Sequence, residues 1–137
     1  MRDVAYVALG SNLGDREHYL SVARSAIARL PKTKVVRATP SEETEPIGPA
    51  GQGRYLNQML AIETELDPHT LLEALQGIEL RAGRKHAERW GPRTLDLDIV
   101  MFDRQRVSDA DLVVPHPALK DRAFWQRELA ALTGDNG

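Results

Sequence analysis

Two aspartates one residue apart, Asp96 and Asp98, stand in the apolar, β-prone run Leu95 to Phe102, whose residues predict a strand. Alternation puts Leu95, Leu97, Ile99 and Met101 on one side, with Asp96, Asp98, Val100 and Phe102 on the other. The two acids then share a face with Cα atoms roughly 7 Å apart. Carboxylates at that spacing can hold oxygen-seeking cations about 3.5–4 Å apart, as two-metal chemistry requires. Taken alone, Asp-x-Asp is equally compatible with two ordinary acids on a wet strand face. The segment before it shifts the balance, because Arg81, Arg84, Lys85, His86, Arg89 and Arg93 meet a single acid, Glu88. Fixed cations beside an acid pair suit a polyphosphate, whose oxygens are shared between a metal ion and guanidinium groups. Gly83, Gly91 and Pro92 bracket the basic run and predict a loop able to close on a ligand.

The elements that must position these groups are readable along the chain. Val4 to Leu9 predicts a buried strand, and Gly10-Ser11-Asn12-Leu13-Gly14 the turn after it. That turn lacks the spacing of a P-loop or a dinucleotide fingerprint and is read as structural. Asp15 is an N-cap for a helix carrying Leu20, Ala23, Ile27 and Leu30, which stops at Pro31. Lys34 to Thr39 predicts a second strand. Pro40 to Gly53, rich in proline and glycine, predicts a long binding loop or lid. A third strand begins near Tyr55-Leu56-Asn57, with Leu60 and Ile62 opposing Met59 and Ala61. Asn57 offers a donor and an acceptor to a heterocycle, or a satisfied turn amide. Asp67-Pro68 opens a second helix with the stripe Leu71, Leu72, Leu75 and Ile78, flanked by Gln76 and Glu79. Arg106 to Val114 offers a hairpin partner. His116 sits between Pro115 and Pro117, either aimed at a phosphate or packed, and Ala118 to Leu132 carries a last helix. The order β-α-β-β-α-β, then hairpin and helix, predicts an α+β, ferredoxin-like antiparallel sheet with two helices on one face.

Composition narrows the classes. The 137 residues fit one domain, spanning 1–137, with a core of its own. Eighteen Lys and Arg against 20 Asp and Glu give a formal charge of −2, no whole-chain case for nucleic acid or membrane binding. With no cysteine, disulfides, thiolate metal sites and thiol catalysis are excluded. No apolar run approaches the ~20 residues of a membrane span, so a cytoplasmic location and a monomer are expected by default.

The strings Gly10 to Asp15, Thr44-Glu45-Pro46-Ile47-Gly48, Tyr55-Leu56-Asn57, Arg89 to Asp98 and Val114-Pro115-His116-Pro117 closely resemble the 6-hydroxymethyl-7,8-dihydropterin pyrophosphokinase family of folate biosynthesis. The resemblance implies transfer of the terminal pyrophosphate of ATP to the pterin hydroxymethyl group, leaving AMP. It implies two Mg²⁺ ions on Asp96 and Asp98, with Asp98 helping to deprotonate the hydroxyl. Arg84 and Arg93 would complete the catalytic set. The pterin would be held by Thr44, Glu45, Ile47 and Asn57, between Tyr55 and Phe124, with Trp90 closing over it. ATP would meet Gln76, Glu79, Arg84 and Lys85, and further on Arg93, Ile99, His116 and Arg122. Three departures stand out: Lys85-His86 follows Arg84 where a second arginine is usual two places on, with the span from Glu79 to Trp90 one residue short. Glu45 replaces a frequent proline, and Trp125-Gln126-Arg127-Glu128 replaces a more apolar, proline-containing run. A lysine offers a point charge in place of a bidentate fork.

Two other classes fit parts of the pattern. A metal-dependent nucleotidyltransferase or cyclase would use the same paired acids but release pyrophosphate. A non-catalytic RNA-binding module would need a stacking platform, and aromatic residues make up only 5% of the chain.

Overall fold

A computed structural model describes residues 2–45, 54–83 and 94–134. Its sheet contains β1 (Asp3–Ser11), β2 (Thr33–Ala38), β3 (Glu42–Thr44), β4 (Tyr55–Thr64) and β5 (Asp96–Phe102). The order is β2-β4-β1-β5, antiparallel throughout, with β3 also pairing β4. Two helices, α1 (Arg16–Ala28) and α2 (Pro68–Arg81), connect the strands in the ferredoxin-like manner. Asp15 and Asp67 cap them, each carboxylate accepting a backbone N–H, from His18 and Thr70. A short hairpin of β6 (Val107–Ser108) and β7 (Val113–Val114) follows, then a 3₁₀ turn over Pro117–Asp121 and α3 (Ala123–Thr133).

Strand alternation divides the core in two. Val7, Leu9, Leu60, Ile62, Leu97 and Ile99 pack with Leu20, Ala23 and Ile27 of α1 and Leu71, Leu75 and Ile78 of α2. The opposite face, Tyr6, Ala8, Met59, Ala61 and Val100, packs with Trp125 and Leu132 of α3. Both faces of the sheet are therefore covered, with α3 on the side away from α1 and α2.

Several local expectations are corrected. β1 runs through Gly10 to Ser11, so Gly10 is a strand residue; the positive φ of the following turn falls on Gly14, at 77°. The proline- and glycine-rich stretch after Pro40 contains β3, whose register Glu42–Asn57 and Thr44–Tyr55 extends the sheet. Phe102 packs on the α1/α2 side, not beside the acids. A bulge causes this: Tyr6 pairs Met101 but Val7 pairs Ile99, leaving Val100 as an extra residue that resets the alternation. The last helix starts only at Ala123, because Pro117–Asp121 forms a 3₁₀ turn.

Candidate active site

The site grows from one register row of the sheet. Asp96 on β5 pairs Gly10 on β1, Gly10 pairs Asn57 on β4, and Asn57 pairs Glu42 on β3. Asp98, Ala8 and Met59 form a parallel row two residues away on the same face. With strands about 4.8 Å apart, Asp96 and Asn57 flank Gly10 across roughly 10 Å. A Cβ on Gly10 would lie 3.1 Å from Asn57 Oδ1 and 3.3 Å from a Tyr55 ring carbon. Glycine here lets Tyr55 and Asn57 close against the sheet beside the acid pair.

On the β4 side, the Asn57 amide donates to Thr44 Oγ1, tying β3 to β4. Arg16 at the start of α1 adds a second tie, donating to the Arg54 carbonyl at 2.9 Å and meeting Glu43 at 3.3 Å. Glu45 is exposed and pairs with Arg54 at 3.1 Å. Phe124 lies partly buried on the α3 face, edge-on to Trp125 at 6.3 Å.

On the β5 side, Asp98 Oδ1 lies 3.7 Å from His116 Nε2. The Ala118 N–H donates to His116 Nδ1 at 3.0 Å, so the neutral ring carries its proton on Nε2, toward Asp98. The His116 N–H donates to the Val100 carbonyl at 2.8 Å, and Trp125 meets the imidazole edge-on at 5.0 Å. Trp125 also lies under the Arg122 guanidinium, 4.3 Å from the ring centre. One buried indole thus packs against both the His116 ring and the Arg122 guanidinium. Burial foremost, then the Arg122 charge, lowers the His116 pKa below the usual imidazole range, with Asp96 opposing.

Glu79 is buried, and its Oε2 accepts the Leu97 N–H at 2.7 Å, between the two aspartates. This fixes the strand that carries them from the α2 side. The Leu97 N–H therefore points away from β1, and by alternation the Ile99 N–H shares that outer edge. The edge borders a cleft of about 270 Å³ lined by Leu97, Asp98, Ile99, His116 and the hairpin residues Asp111 to Val113. His69, in the first turn of α2, holds the hairpin tip through Asp109 at 2.9 Å and Asp111 at 3.7 Å. These three exposed or half-exposed groups are the donors that converge within 4.8 Å of one another among the described residues. Gln76 is exposed on α2. Ile47, Arg84, Lys85, Trp90 and Arg93 lie outside the described residues. The structure adds four residues that sequence reasoning did not select: Gly10, Trp125, Glu42 and Glu128. Gly10 left a trace in the sequence as part of a glycine motif read as a turn, and Trp125 and Glu128 as members of an unusual run; Glu42 left none.

A family model described as 7,8-dihydro-6-hydroxymethylpterin-pyrophosphokinase (HPPK) matches residues 6–134. The chain belongs to this family. A Pseudomonas aeruginosa 2-amino-4-hydroxy-6-hydroxymethyldihydropteridine pyrophosphokinase is 47% identical over 130 residues, 95% of this chain and 80% of that one. The Bacillus subtilis enzyme of the same name is 42% identical over 132 residues, covering 96% and 79%. Among solved structures, a crystal structure of an HPPK-DHPS in complex with substrates superposes with a TM-score of 0.71 over 96% of this chain and 40% of that one. At 13% identity that likeness speaks for the fold alone.

Proposed function

We infer that this chain is an enzyme that transfers a pyrophosphoryl group from ATP to the hydroxymethyl group of 6-hydroxymethyl-7,8-dihydropterin, a step of folate biosynthesis. The observation carrying this reading, beyond family membership, is the single row that sets Asp96 two strands from Asn57 with only a glycine between. In the reaction the hydroxymethyl oxygen forms a bond to the β-phosphorus of ATP. The bond from that phosphorus to the α,β-bridging oxygen breaks, AMP leaves, and the hydroxyl gives up its proton.

Thr44, Tyr55 and Asn57 are assigned to the pterin, with Glu45, Ile47, Trp90 and Phe124 around it. A flat heterocycle needs aromatic faces and a few edge hydrogen bonds, and Asn57 supplies a donor and an acceptor. The Ile99 main chain at the outer edge of β5, with Gln76, Lys85, Arg122 and His116, is assigned to ATP. His116 presents an N–H from Nε2 and serves as a neutral donor to phosphate oxygen. Glu79, counted with the nucleotide residues from sequence, contributes by holding Leu97 in place. Arg84 and Arg93 are assigned to the charge that develops in transfer.

Asp96 and Asp98 are both partly accessible, hard oxygen donors, a set that fits Mg²⁺ completed by phosphate oxygens and water. We assign them two Mg²⁺ ions, which when bound neutralise phosphate charge and polarise the β-phosphorus. Asp98, 3.7 Å from His116 Nε2, is the acid we assign to helping deprotonate the hydroxyl. The reading we propose is of a monomer acting as one domain over residues 1–137, without nucleic acid. No helix among the described residues is long and apolar enough to cross a membrane, in keeping with the cytoplasmic location we propose.

Incubation with ATP, Mg²⁺ and hydroxymethyl dihydropterin should yield AMP only when all three are present. Release of pyrophosphate in place of AMP would instead identify a nucleotidyltransferase.

A further inference from the structure

Glu128 lies on α3, one turn beyond Phe124 and Trp125, and is only 3% exposed. Both carboxyl oxygens are sealed from solvent, and neither accepts a hydrogen bond from any donor among the described residues. The group that faces it is the Glu42 carboxylate at the start of β3, which raises its pKa through hydrogen bonding and charge, after burial. Arg127 lies 3.2 Å from Glu42 and acts on Glu128 in the opposite sense. The sheet beneath α3 contributes Tyr6, Ala8, Met59, Ala61 and Val100, with Arg37 of β2 donating to the Leu132 carbonyl at 3.2 Å; of these Tyr6 and Arg37 are ionisable, and the Tyr6 phenol faces Asp103. Two acids thus meet beside Arg127, over a largely apolar sheet face whose other cation, Arg37, is engaged with the Leu132 carbonyl. A buried charge there, unpaired, is far costlier than a shared proton.

Glu42 stands opposite Asn57, and Thr44, at the other end of the three-residue β3, accepts from the Asn57 amide. We propose that Glu128 is a positioning residue for the acceptor substrate: its protonated carboxyl donates to Glu42 and holds β3, and with it Thr44, against the sheet. This rests on the reading above that Thr44 and Asn57 hold the pterin. When Glu128 loses its proton, two carboxylates compete for Arg127 and β3 is pushed from α3. The pterin edge loosens while the ATP cleft, at the far side of the sheet, is left as it was.

The test is the pH dependence of the Michaelis constants for pterin and ATP, with Mg²⁺ present, in the wild type, Glu128→Gln and Glu42→Gln. In the wild type the pterin KM should rise roughly 3–10-fold between about pH 7 and pH 9, with the ATP KM unchanged. Glu128→Gln, a neutral isostere that keeps a donor, should flatten that rise, and Glu42→Gln should do the same. An equal rise in Glu128→Gln would overturn the proposal. Carboxyl ¹³C NMR should show Glu128 titrating together with the Thr44 amide; titration of Glu128 without movement at Thr44 would reduce it to a core group. Asn57→Ala, measured at about pH 7, separates the two readings. If it leaves the pterin KM untouched, the acceptor-site assignment fails; if it raises the KM while Glu128→Gln changes no pH profile, the Glu128 role alone fails.

Discussion

His116 shows how far backbone contacts can fix a side chain's chemistry. Its Nδ1 already accepts the Ala118 N–H, so protonating the ring would turn an accepted hydrogen bond into two facing donors. Burial and Arg122 push in the same direction, and the neutral Nε2–H is kept available near Asp98. A depressed pKa means that protonation is delayed to lower pH. The acid limb of kcat/KM for ATP should therefore lie below the ordinary imidazole range, and a limb centred at or above it would refute the assignment. Gly10 offers a steric test of the shared row. Gly10→Ala places a methyl 3.1 Å from Asn57 Oδ1 and 3.3 Å from the Tyr55 ring, so both must give way by a few tenths of an ångström. The pterin KM should rise by about tenfold, the equivalent of ~1.4 kcal/mol, while the ATP KM holds. Asp96→Ala should give a folded protein that binds pterin yet turns over at least about 10³-fold more slowly, since charge neutralisation is the main catalytic term in phosphoryl transfer. Near-full activity with Mg²⁺ would remove the metal assignment.

Among the elements, those whose identity is carried by local spacing were readable in advance. Asp15 and Asp67 cap the helices as their positions require, and the stripes Leu20-Ala23-Ile27 and Leu71-Leu75-Ile78 face the sheet. The paired acids do share one face of β5. What could not be read depends on partners distant in sequence. Val100 bulges because β1 pairs on either side of it, and nothing in the run Ile99-Val100-Met101-Phe102 marks the reset. β3 hides in a glycine- and proline-rich stretch because its three residues, Glu42-Glu43-Thr44, are polar and gain their structure from β4. From the sequence Glu79 only flanks a helix stripe, whereas in the fold it is buried and accepts the Leu97 N–H. Removing it with Glu79→Ala leaves that buried donor unpaired, which costs about 1–3 kcal/mol. Denaturant melts should show that loss together with a lower kcat, because the two aspartates flank the freed peptide. Glu79→Gln keeps an acceptor and should recover most of both.

At the scale of the whole molecule, the sheet is closed on each face by a different kind of helix. α1 and α2 are threaded between strands and their packing follows from the βαβ order, whereas α3 is appended and its buried acid, unlike Glu79 of α2, accepts no N–H among the described residues. The sign of its contribution to stability can be worked out. Glu128 has its pKa raised from 4.5 to about 8, so between those values the folded chain holds a proton that the unfolded chain has released. Its stabilisation is complete below the unfolded value and drains away as pH rises toward about 8, at up to ~1.4 kcal/mol per pH unit. His116 works the other way: a lowered pKa gives stability that is present above the usual imidazole value and is lost as pH falls. The raw stability profile is thus a sum of opposed slopes and is a poor readout of either group. Subtracting the profile of Glu128→Gln from that of the wild type cancels the histidine and isolates the carboxyl. The difference should favour the wild type most in mild acid and shift steadily toward the variant up to about pH 8, then level off. Parallel profiles would mean that Glu128 keeps its ordinary acidity in the fold, and α3 would then carry a charge that its apolar surroundings give it no means to stabilise.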